Sequence, residues 1–77
     1  MAKIEINNTS YTQVLDGAGF VTSEVENKYA FTDDATPPTD EDSFTRNPRD
    51  QVNGSNGKIL WAKSIVYAKV DVTPVGE

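Results

Sequence analysis

The 77-residue chain carries 7 Lys plus Arg against 12 Asp plus Glu, and it has neither cysteine nor histidine. Those two absences exclude disulfides, thiolate metal centres, Ser-His-Asp or Cys-His catalysis and most zinc chemistry, and the net charge of −5 sets the chain against nucleic-acid phosphates. So short a domain buries only about 60% of the surface its unfolded chain exposes, and oligomerisation is the staple its composition leaves open.

Thr and Val are the commonest side-chain types, and Leu occurs only at Leu15 and Leu60. β-Branched residues pack well on a pleated surface and lose rotamer freedom in helices. No window of a dozen residues shows an i, i+3, i+4, i+7 apolar stripe. Ile4 and Ile6, alternating with Lys3, Glu5 and Asn7, predict a first strand. Residues 11–15 predict a second, closed by an Asp16-Gly17-Ala18-Gly19 turn. Residues 20–26 predict a third, with Val21 and Val25 on one face, and Tyr29 and Phe31 mark a fourth.

Residues 33–43 are expected to be a mobile, solvated loop around Pro37-Pro38, and Phe44 to pin the region onto the core. Residues 47–57 are expected to be a second loop, since Asn53-Gly54 and Asn56-Gly57 are strong turn dipeptides. Residues 58–62 and 66–72 complete the set, the last showing Val66, Ala68, Val70 and Val72 on one face. The spacing of turn signals predicts one all-β unit over 1–77, a small antiparallel β-sandwich or barrel of about seven short strands.

Asp33, Asp34, Asp40, Glu41 and Asp42 are oxygen ligands of the kind Ca²⁺ takes. They lack EF-hand spacing, so a solvated loop is preferred and neither a metal nor another cofactor is expected. Carboxylate-pair glycoside chemistry needs two carboxyls fixed across a cleft, one of them in apolar surroundings; here the acids lie in polar loops or on solvent faces, and no catalytic residue is expected. Trp61, Tyr67 and Tyr29 could stack a sugar, but the alternation favours Phe20, Phe31 and Trp61 as core or subunit interface. A DNA mimic would spread its carboxylates along a surface, whereas here they gather in one loop. Asn7, Asn8 and Asn53 begin Asn-x-Ser/Thr triplets, read as turn residues in a chain with no visible export signal. No stretch approaches the roughly 18 apolar residues of a membrane helix, so no membrane partner is expected.

The segment from Asn53 through Gly57-Lys58-Ile59-Leu60-Trp61-Ala62 to Ser64, followed by the Val-Tyr-Ala-Lys-Val-Asp-Val run ending at Val72, resembles the C-terminal half of small virion proteins of tailed bacteriophages, of the head-decoration and head-fibre kind. An aromatic strand, a Pro-containing loop, a Gly-rich turn and an Ile/Leu-Trp-Ala strand follow in the same order over nearly the whole chain. The resemblance implies a β-domain, often trimeric, that sits on a capsid or in a fibre. On it, the chain is expected to be a non-enzymatic structural protein, made in the host cytoplasm and located in the virion. It would cement a capsid or other virion protein as a homotrimer, with Leu60, Trp61, Tyr67 and Val70 at the subunit contact and the acidic loop facing solvent. The alternative is a small carbohydrate- or protein-binding β module at a virion or cell surface.

Overall fold

A computed structural model describes residues 2–65 and 68–74. These residues form strands β1 (Ala2–Ile6), β2 (Thr12–Asp16), β3 (Gly19–Ser23), β4 (Asn27–Thr32), β5 (Phe44–Arg46), β6 (Val52–Asn53), β7 (Ile59–Ser64) and β8 (Ala68–Pro74), with one turn of 3-10 helix at Asp40–Asp42. Two four-stranded antiparallel sheets result, ordered β1-β8-β3-β6 and β2-β7-β4-β5. They pack face to face as a small sandwich and do not close into a barrel.

Period-two alternation builds the core between the sheets. The first sheet supplies Ile6, Val21, Val52, Val70 and Val72; the second supplies Val14, Leu15, Tyr29, Leu60 and Ala62. Val14 and Leu15 are both buried although adjacent in sequence. The register explains this: Gln13 pairs with Trp61 and Leu15 with Leu60, so β2 carries a bulge at Val14 that re-aims its side chains.

Phe44 anchors β5 as its position suggested, with its ring centroid 6.1 Å from that of Tyr29 and 6.0 Å from that of Phe31. β6 arises inside the stretch read as a loop, where Val52 fills the core beside Val21. Two residues are too few for a periodic signal. Val25, read on one face with Val21, lies past the end of β3. The Gly54 turn needs its glycine, because a Cβ there would collide with the Gly17 carbonyl and the Leu15 side chain.

The outer face of the first sheet is polar. Lys3 stands opposite Asp71 and Glu5 opposite Lys69, closing ion pairs of 2.8 and 4.0 Å. Phe20, expected in the core or at a subunit interface, is half-buried on this face, opposite Thr73 and Asn53.

Candidate functional site

In β7, residues 59–62 read Ile-Leu-Trp-Ala without a polar break. Directly opposed residues of an antiparallel ladder share a face, so the register divides this run. Leu60 faces inward with Phe31 and Leu15, whereas Trp61 shares the outer face with Ala30 and Gln13. Trp61 is nevertheless only 6% exposed and Ala30 fully buried, although neither belongs to the inter-sheet core. A third layer covers them.

The segment tethered along this face is the acidic one, residues 33–43. It leaves β4 at Thr32, whose Oγ1 accepts a hydrogen bond from Trp61 Nε1 at 2.7 Å and donates one to the Asp34 carbonyl at 2.6 Å. Lys58 pairs with Asp33 near the same end. Further along, Asp40 Oδ1 accepts from Lys63 Nζ at 2.7 Å and from the Tyr11 hydroxyl at 2.9 Å. Lys63 stands two residues beyond Trp61 on the same face, and its Nζ lies 4.9 Å from the Tyr11 ring centroid. The segment therefore crosses the row Ile59, Trp61, Lys63 before returning to Phe44. A sequence of Asp, Thr and Pro predicts a loop detached from the body; instead, side-chain bonds lay it across the sheet. Asp33, Asp34, Glu41 and Asp42 remain exposed, as a solvent-facing acidic surface requires.

The electrostatics follow from the contacts. The Lys63 hydrogen bond, then that of Tyr11, holds the Asp40 carboxyl below the usual carboxylate range. Its bond to Asp40 raises Lys63. Partial burial, ahead of the neighbouring Asp40, pushes the Tyr11 phenol up. Where the segment meets the turn before β2, a cleft of about 320 Å³ opens, lined by Ser10, Tyr11, Pro37, Pro38, Asp40 and Lys63 among others. Asn7 shapes that turn, its Oδ1 accepting from the backbone N–H of Thr9 and Ser10 and from the Thr9 hydroxyl.

Of the residues expected at a subunit contact, Leu60 (1% exposed) and Val70 (0%) lie in the core, and Trp61, on the outer face of the second sheet, is 6% exposed. Packed inside the monomer, all three offer a second chain almost no surface. Tyr67 lies outside the described residues. Trp61 and Tyr29 are both buried and on opposite faces of the second sheet, so they do not form a flat stacking platform. Among the described residues no three acidic side chains converge on a point that could hold a metal ion. What the sequence reading missed is the pairing of Tyr11, Asp40 and Lys63, which are too far apart in sequence for any motif to join them.

Comparison of the chain with known protein families, with curated proteins and with solved structures returned no match.

Proposed function

We propose that this chain is a non-enzymatic structural protein of a tailed-bacteriophage virion, a head-decoration or head-fibre component that assembles as a homotrimer and cements its neighbours through symmetric contacts. The observation that carries the reading is the distribution of strand edges in a sandwich that gathers no catalytic constellation among its described residues. β5 has three residues and β6 two, while β2 is broken by its bulge. Among the described residues, β1 is the edge strand with five residues in unbroken register, paired on one side to β8 and on the other to no strand. A regular free edge accepts a strand from a second chain through backbone hydrogen bonds.

With Leu60, Trp61 and Val70 enclosed, the subunit contact passes to β1 and to Ile65, the exposed large hydrophobic side chain that directly follows β7. The resemblance of residues 53–72 to small virion proteins supplies the phage assignment. Extra apolar and strand contacts between neighbours raise the free energy needed to separate them against internal DNA pressure.

Light scattering over a dilution series tests the assembly. A species near three times 8.4 kDa is expected, and substituting Ile4→Pro in β1 is expected to dissociate it. A folded monomer at every concentration overturns the trimer. Mass spectrometry of purified virions tests the location, and absence of the chain from intact particles overturns the virion reading.

A further inference from the structure

Side chains tether the acidic segment along the outer face of the second sheet, and among the described residues no backbone hydrogen bond ties it to that sheet. Its backbone hydrogen bonds are its own: Asp42 N–H donates to the Thr39 carbonyl, and Ser43 N–H to the Asp40 carbonyl. Of residues 33–42 only Pro38 is half-buried, and the rest are exposed. Three side-chain attachments hold the segment down. Thr32, bonded to Trp61, and Asp33, paired with Lys58, fix its start; Phe44 fixes its end; Asp40, gripped by Lys63 and Tyr11, fixes its middle. The two ends are continuous with β4 and β5, which pair with each other through Asn27–Arg46, Lys28–Thr45 and Tyr29–Phe44.

We propose that residues 33–43 form a latched flap, closed over Trp61 by the Asp40–Lys63–Tyr11 cluster, which opens as a unit in acid while the sandwich stays folded. Opening breaks no ladder hydrogen bond. It sacrifices only the latch and the cover over Trp61, so it costs less than unfolding either sheet, and local openings of this kind precede global ones. The cleft beside the flap is its seam: Lys63 and Asp40 satisfy each other across it.

The direction of the pH response follows from the groups that face the latch. Asp40 meets Lys63 and Tyr11 directly and Lys28 at longer range; Lys63 meets Asp40 and Tyr11. The neighbouring carboxylates Asp33, Asp34, Glu41 and Asp42 are exposed, and Asp33 is paired with Lys58. A carboxyl held low in the closed state favours closure above its open-state pKa, about 4, and this preference is lost as pH falls through the closed-state value. Lys63, held high, keeps its contribution until pH rises through its own raised pKa, above about 10.4. The latch is thus closed across the neutral range and released in acid.

Trp61 is the only tryptophan, and its N–H is bonded to Thr32, the residue from which the flap leaves β4, so its exchange reports on water reaching that corner. The experiment is hydrogen exchange by NMR, comparing the protection factor of Trp61 Nε1–H with those of the Ala62 and Val70 amides in the sheets. In Asp40→Asn at neutral pH, indole protection is expected to fall roughly fivefold, the scale of a partly exposed charged contact, with both amides unchanged. In the unmodified chain the same loss is expected as the pH is lowered below the free carboxylate range, about 4, before the core amides lose protection. Indole and amides losing protection together in the acid titration overturns the flap, and so does an indole unaffected by Asp40→Asn. If that variant does not fold, Lys63→Met cuts the same latch, and the acid titration of the unmodified chain decides independently.

Discussion

The two outer faces of the sandwich solve the same problem differently. On the first sheet, β8 alternates Val70 and Val72 inward with Lys69, Asp71 and Thr73 outward, and the outward row is left in water with its charges paired across to β1. On the second sheet, β7 has apolar residues on both sides: Leu60 and Ala62 inward, Ile59 and Trp61 outward. A strand apolar on both faces must be covered on both, and here the second cover is a loop of the same chain. The first sheet is complete when its strands pair; the second needs a tertiary contact from a segment whose own composition gives no hint of burial.

This contrast can be broken from either side. The largest effect is expected from Leu60→Ala, which opens a cavity between two sheets that cannot collapse onto it. It should cost about 3 kcal/mol in chemical denaturation. Trp61→Ala removes a larger side chain but is expected to cost less, about 2 kcal/mol, because a flap attached by side chains can settle into the space. A Trp61 cost above that of Leu60 would mean that the third layer is as rigid as the core.

Tyr29→Phe comes next. Tyr29 Oη accepts the hydrogen bond of Asn27 Nδ2 at 3.2 Å inside the sandwich, where Asn27 is fully buried and its Oδ1 has no partner among the described residues. Removing the hydroxyl strands the amide and should cost about 1 kcal/mol. Adding Asn27→Leu should recover much of that loss, since replacing both partners by apolar groups is nearly neutral. The smallest effect belongs to Lys3→Met on the polar face. Its pair with Asp71 joins exposed side chains, a setting in which ion pairs contribute little, and its thermal midpoint should be indistinguishable from that of the parent at any salt concentration.

The all-β class and most strand positions were legible because alternation with a period of two is a local property. Ile4 with Ile6, Tyr29 with Phe31, and Val70 with Val72 each declare their face within three residues. β6 was not legible, since Val52 has no apolar neighbour at the right spacing and its burial comes from pairing with Val21, 31 positions earlier. Trp61 was legible in part: the alternation favours it as core or subunit interface, and in the structure it is buried on the outer face of the second sheet. The segment along that face is held by Tyr11, Asp40 and Lys63, which meet only once β2, β7 and the acidic segment are in place.

By itself, then, the sequence determined the strand class, the faces of the clearly alternating strands, and the lack of thiol and imidazole chemistry. The tertiary structure decided which segment lies along the outer face of β7, and with it that Leu60, Trp61 and Val70 serve the monomer's interior instead of its surface. The physical reason is that hydrophobic burial is non-directional: an apolar side chain states that it must be covered, and only the folded chain's geometry selects the partner.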